Sequence, residues 1–298
     1  MSFDLYFFKH KDSQLTEQEV AKYLSNNISA NIREHKKAWS YENPNTGTYF
    51  NVEWSQENSH PEDLESSGNF ENFIDLNFSF NINFFRPTFF GLEIFPIIDT
   101  LVEKLDLYVL NPQDLKLDDY PNKYKKGDLL QSWISSNNQV STGPHEGFNL
   151  EYMPIEKSNY LWWYQFHKTD FEISITEDIY IPNLFVIKSY EDNLLYTACA
   201  WTTHLPILLP AVDYLIIQKK YRKLFRNIEE SGIVPYKIAM EKLGKYFIDF
   251  KSDVKDLRIL SQQQADKMKT EFNSLQIRKT LKEFGCFVAK DCFVNILQ

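Results

Sequence analysis

The sequence predicts an α+β fold, and three observations carry that prediction. From Leu76 to Phe84 the even positions are Leu, Phe, Phe, Ile and Phe, while the odd ones are Asn, Ser, Asn and Asn. A period of two over nine residues is the pattern of a strand with one apolar and one polar face. Thr16-Glu17-Gln18-Glu19 is a capping box, in which the threonine hydroxyl and the glutamate each serve an unpaired N–H at a helix start. Finally, the first 112 residues read in the order strand, helix, strand, strand, helix, strand. That is the split βαβ, ferredoxin-like order: an antiparallel sheet with two helices on one face.

Element by element, Phe3 to Phe8 is an aromatic strand. Leu15 and Val20 occupy the hydrophobic-staple positions around the capping box, so a helix runs from Glu17 to about Asn26. Pro44-Asn45-Thr46-Gly47 marks a turn, and Thr48 to Trp54 is the strand leaving it. Arg86-Pro87 ends the alternating strand. A helix then extends to Leu105 with Ile94, Ile97, Ile98, Leu101 and Leu105 inward; Pro96 fits either its N1 position or a kink. Leu107 to Leu110 is a short strand. The expected domain break lies near Pro112, with Asp114 to Gly127 as connector.

A mixed α+β domain is expected over residues 113–298. It comprises a short helix at 128–136, a loop at 137–150, a strand at 160–166 and apolar odd positions over 171–181. A hairpin of 185–189 and 195–201 turns through Glu191-Asp192-Asn193, and a strand follows at 212–217. Helices then dominate. Tyr221, Leu224, Phe225 and Ile228 give an amphipathic stripe over 219–230 ending at Gly232. Pro235 opens a helix to 247, and Ser261 precedes one over 262–273. Cys286 to Leu297 is β-prone and closes a sheet edge.

With 43% hydrophobic residues, 24 Phe, 17 Tyr and 6 Trp, the chain can fill a core, and wholesale disorder is excluded. Three cysteines, an odd and sparse number, argue against a disulfide framework and for a reducing compartment. The N-terminus carries Asp4 where a secretory signal needs basic residues. The longest apolar stretch, Leu205 to Ile217, holds two prolines and Asp213 and is shorter than the roughly 20 residues that span a bilayer. A cytoplasmic protein without membrane association is the expectation.

The formal charge of −9 is unevenly placed. Residues 1–112 hold 8 Lys+Arg against 17 Asp+Glu, and the remainder is balanced. Between Lys37 and Arg86 there is no basic residue, but Glu42, Glu53, Glu57, Glu62, Asp63, Glu65, Glu71 and Asp75 all fall there. Such a run is either a solvated acidic loop or a field that steers a basic partner within a Debye length of about 8 Å. Within it Glu57, Glu62, Asp63 and Glu65 are the candidate partner-binding residues. Arg86 reads as an ion-pair partner. The stretch Lys219 to Arg226 mixes basic and aromatic residues, but in a helix its bases fill the wet face, so nucleic-acid binding is not expected.

Searches for catalytic spacing find little. HExxH, CxxC, GxSxG, P-loop and GxGxxG patterns are all missing, and no cofactor is expected. Cys286 and Cys292 sit among Phe and Val as small buried residues do. Cys199 alternates into the core. His145, His167 and His204 are the candidates for a hydrolase-type His/carboxylate site assembled only in three dimensions. Glu62-Asp63 and Asp118-Asp119 lack the apolar flanks that raise a carboxyl pKa. Of the Trp162-Trp163 pair, a strand would turn one ring outward, which makes Trp163 a candidate interface anchor.

Phe3-Asp4-Leu5-Tyr6-Phe7, and Asn83-Phe84-Phe85-Arg86-Pro87 through Glu93 to Leu107-Tyr108-Val109-Leu110-Asn111-Pro112-Gln113, resemble uncharacterised bacterial proteins. Some of these are similar to immunity proteins encoded beside secreted toxins. The resemblance covers about the first 113 residues. It implies a non-enzymatic, cytoplasmic protein that binds and blocks a cognate toxin, and it assigns no site residue. The alternatives are the hydrolase above or a structural scaffold.

Overall fold

The computed structural model describes residues 1–27, 33–35, 38–55, 70–114, 120–143, 150–202, 204–223 and 226–296. The chain is mixed α+β and divides into two compact units, Met1–Leu150 with Val294–Gln298, and Glu151–Phe293.

The first unit contains β1 (Ser2–His10), α1 (Glu17–Asn27), β2 (Arg33–His35), β3 (Ala38–Glu42), β4 (Tyr49–Trp54), β5 (Phe73–Asn83), α2 (Phe89–Lys104), β6 (Tyr108–Leu110) and α3 (Asp128–Thr142). Its sheet has the order β2-β3-β4-β5-β1-β6 and every neighbouring pair is antiparallel. Four strands were expected. The additional pair, β2 and β3, extends the β4 edge, and Trp39 and Tyr41 on β3 are buried.

The alternating pattern of β5 is what builds this core. Ile82 lies opposite Phe3, Phe80 opposite Leu5 and Phe78 opposite Phe7, so one face is continuously apolar. Helix α2 covers it: the Phe95 ring packs edge-on against Phe3 and Phe80 at 6.0 and 5.8 Å. Pro96 lies inside this helix. Helix α1 starts at the capping box, where Glu19 accepts from the Thr16 N–H at 2.8 Å, and its Ser25 receives the Trp39 indole N–H. The register of β1 against β5 shifts between Phe7 and Phe8. There Asn77 adopts φ 59°, a left-handed conformation that Asn tolerates, and its N–H donates to Asp75.

The expected break at Pro112 lies inside this unit. Helix α3 is longer than predicted and packs against α2: Trp133 is fully buried 6.1 Å from Phe95. A Cβ on Gly91 would fall 2.6 Å from the Trp133 ring, so the glycine permits the close helix–helix approach.

The second unit runs β7 (Glu151–Tyr152), α4 (Ile155–Phe166), α5 (Lys168–Ser174), β8 (Leu184–Ser189), β9 (Leu195–Thr202), β10 (Ile207–Leu209), β11 (Tyr214–Lys223), β12 (Arg226–Pro235), α6 (Tyr236–Leu243), β13 (Ile248–Asp249), β14 (Arg258–Leu260), α7 (Gln262–Asn273), α8 (Leu281–Phe284), β15 (Gly285–Val288) and β16 (Phe293–Val294), which reaches into the first unit's C-terminal segment. Its main sheet has the order β12-β11-β9-β8-β15, antiparallel except for the parallel β9–β11 pair. A small antiparallel sheet, β10-β14-β13, accompanies it. Trp201 on β9 is buried against Phe272 of α7, with centroids 4.8 Å apart.

Three expectations fail here. Residues 160–166 form helix α4 rather than a strand: Ser158, Leu161, Trp162 and Gln165 are buried at i, i+3, i+4 and i+7, and Pro154 precedes the first turn. Residues 171–181 hold the end of α5 and irregular chain instead of a strand. Residues 219–223 and 226–230 lie on the antiparallel strands β11 and β12 rather than in a helix, and Lys219 faces Glu230 and Lys220 faces Glu229. Opposite charges across the ladder favour this pairing. The predicted helical end therefore begins only at α6. Cys199 is buried as expected, but Cys286 and Cys292 are exposed, Cys286 on the edge strand β15.

Candidate functional site: the open face of the first sheet

The apolar face of the first sheet is covered by α1 and α2, and the opposite face presents the polar half of each strand. Ser40, Asn51, Asn81 and Asp4 form one row across β3, β4, β5 and β1; Glu53, Ser79 and Tyr6 form the next. The row is tied by short-range bonds, Ser40 Oγ to Asn51 Oδ1 at 2.8 Å and Asn51 Nδ2 to Asn81 Oδ1 at 3.5 Å. At one end Asn83 Nδ2 and the Arg86 guanidinium both donate to the Tyr49 hydroxyl, the latter at 2.6 Å. The Arg86 guanidinium also donates to the Phe85 carbonyl.

Asp4, Glu42 and Glu53 lie on this face, and none is in an ion pair among the described residues. Glu71, exposed in the turn before β5, is likewise unpaired. On β1, β3, β4 and β5 no Lys or Arg shares the face between these groups. Burial, then the charges of Asp4 and Asp75, raise the Tyr6 phenol above its ordinary pKa. The surface is rich in hydrogen-bonding groups and negative.

Behind it lies a buried carboxylate that no sequence pattern singled out for chemistry. Glu93 of α2 accepts from Tyr41 Oη and Asn43 Nδ2, both at 2.8 Å, and from the hydroxyls of Thr46 and Thr48 at 3.2 and 2.5 Å. Tyr41 lies on β3 and the other three donors in the turn between β3 and β4, so this cluster clamps the hairpin onto α2. Burial, and next the Glu93 charge, push the Tyr41 phenol well above its usual range. Tyr41, Thr46 and Thr48 are buried, so the cluster is closed to solvent. The signal available in the sequence was a lone acid in the apolar run Phe89 to Ile98.

Glu57, Glu62, Asp63 and Glu65 lie outside the described residues, as do His145, Glu146, Asp118 and Asp119. Trp163 sits on helix α4 of the second unit, half-buried, with its ring parallel to Phe166 and its indole N–H on the Asp253 carbonyl at 3.3 Å. It is not part of the first unit's face. His167 follows, its Nδ1 2.8 Å from Asp170 Oδ2 and its ring 4.1 Å from Trp163; its Nε2 has no hydrogen-bond partner. Burial, then Lys269, lower the His204 pKa. The His167–Asp170 pair orients a ring, but no nucleophile is hydrogen-bonded to it among the described residues. Among those residues, too, no helix is long and apolar enough to cross a membrane.

No protein-family model, curated protein or solved structure matches this chain.

Proposed function

We propose that the protein is a non-enzymatic binding protein whose partner is a basic protein, docked on the open acidic face of the first sheet. The observation that carries this is the set of carboxylates Asp4, Glu42 and Glu53 on a polar face, none of them in an ion pair among the described residues. Charge left unpaired on a surface contributes little to stability but raises the on-rate of an oppositely charged partner. The acids at 57, 62, 63 and 65, which follow β4 in sequence, add to the same negative charge.

The fold supports the same assignment. We infer a ferredoxin-like split βαβ unit here, and the strand order β6-β1-β5-β4, taken without β2 and β3, supports that reading. Together with the resemblance over the first 113 residues, it favours an inhibitor of a cognate toxin acting in the bacterial cytoplasm. The test is co-expression with the product of the adjacent gene followed by gel filtration. A stable complex and protection of the host cell are expected; separate elution without protection would refute the assignment.

A further inference from the structure

A groove of about 460 Å³ opens in the second unit where β12 runs into α6. Its floor is apolar. Ile233 and Phe284 are buried, and Tyr214 packs on Phe284 with ring centroids 4.7 Å apart. One wall is the chain after α7, held against β12 by the Ile233 N–H on the Lys279 carbonyl at 3.0 Å. A Cβ on Gly232 would stand 2.4 Å from that carbonyl oxygen, so glycine is what lets the wall lie this close. The other wall is α6, which leaves Ile238 46% exposed beside the floor.

The rim is basic: Lys242, Arg278 and Lys279 face a single acid, Glu191. Lys279 is engaged by Glu191 at 2.7 Å. Lys242 and Arg278 are in no ion pair or hydrogen bond among the described residues. The Glu271 carboxylate, whose charge Lys242 senses, is already bonded to Lys245 and Tyr246, each at 2.8 Å. The volume lies within the roughly 300–1,000 Å³ of small-molecule sites, where an apolar lining and a few convergent polar groups define the ligand.

We propose that this groove binds an amphipathic anion: a small molecule with an apolar body of one or two rings and one carboxylate, sulfonate or phosphate met by Lys242 and Arg278. An apolar body displaces water from Ile233, Ile238 and Phe284, and the anion neutralises two cations that the fold leaves unpaired. The site belongs to the second unit alone and does not depend on what docks on the first.

The probe is 8-anilinonaphthalene-1-sulfonate, compared with its uncharged relative N-phenyl-1-naphthylamine, titrated into the full chain by fluorescence. The sulfonate is expected to bind at one site and to weaken about tenfold in K242E/R278E. The uncharged dye should be indifferent to that charge reversal, and both dyes should weaken in I238D. All three residues are exposed, and unchanged thermal melts confirm that the variants fold. Sulfonate binding that K242E/R278E leaves unaltered would overturn the anion assignment. Absence of saturable binding by either dye would overturn the site itself.

Discussion

The two units handle charge in opposite ways. In the second, many surface charges pair within the unit: Lys157 with Asp213, Lys188 with Glu151, Lys220 with Glu229, Lys245 with Glu271 and Lys279 with Glu191. In the first, Asp4, Glu42, Glu53 and Glu71 are in no ion pair among the described residues. The interiors invert this contrast. The first unit buries a carboxylate, Glu93, among four neutral donors, whereas the second buries an ammonium, Lys219, which donates to the Leu275 carbonyl and pairs with Glu230, both at 2.8 Å. Buried charge is thus structural in both units; outward, among the described residues, the first leaves carboxylates without an ion pair and the second leaves the cations Lys242 and Arg278 without one.

The largest break in this comparison is expected from Glu93→Ala. It strands the hydroxyls of Tyr41, Thr46 and Thr48 in the interior and should lower unfolding free energy by about 3 kcal/mol or more in urea melts. Glu93→Gln, which keeps an acceptor, should cost clearly less. An equal loss from both variants would show that a neutral acceptor cannot stand in for the carboxylate in this cradle.

Lys219→Ala is next, at about 2 kcal/mol, because the end of α7 and Glu230 both lose their partner. Lys219→Met, which restores the apolar stem without the charge, should recover part of that loss. Identical melts for the two variants would place the whole effect in the lost ammonium contacts rather than in packing.

Lys290 sharpens the second unit's side of the comparison with the opposite sign. Burial, and then Lys168, push its amine down to about 8. The ordinary value is about 10.4, so the unfolded chain binds the proton more tightly. The penalty is fully present below pH 8 and is relieved as pH rises from 8 towards 10. Lys290→Met should therefore stabilise the protein at pH 7 by about 2 kcal/mol and flatten that pH dependence. A variant less stable at pH 7 would contradict the sign.

Much of the first unit was legible because its signals are local. The alternation of Leu76 to Phe84 describes β5, and Thr16 with Glu19 describes the start of α1. The second unit was misread where one pattern fits two structures. Tyr221, Leu224, Phe225 and Ile228 match a helical stripe, yet Tyr221 and Ile228 are cross-strand partners. The discriminating signal was the charge mirror, Lys219 and Lys220 against Glu229 and Glu230, equally spaced about Leu224-Phe225. In α4 the β-propensity of Trp, Tyr and Phe gave way to burial of one helical face, since tertiary packing overrides propensity.

The candidate sites divide in the same way. The acid run could be read directly, and its described members Glu42, Glu53 and Glu71 are unpaired. The groove beside β12 could not, because Glu191, Tyr214, Ile238 and Arg278 come from four separate stretches of chain that only the sheet order brings together.

The smallest expected stability change carries the central claim. Replacing Glu42, Glu53 and Glu71 together by Gln should leave unfolding free energy within about 0.5 kcal/mol, as for surface groups without partners. The association rate of the product of the adjacent gene, measured by stopped flow at about 50 mM salt, should nevertheless fall about tenfold, with a flatter salt dependence. An unchanged rate and salt slope would contradict the docking role of this face, and so would a slowing matched by a loss of stability.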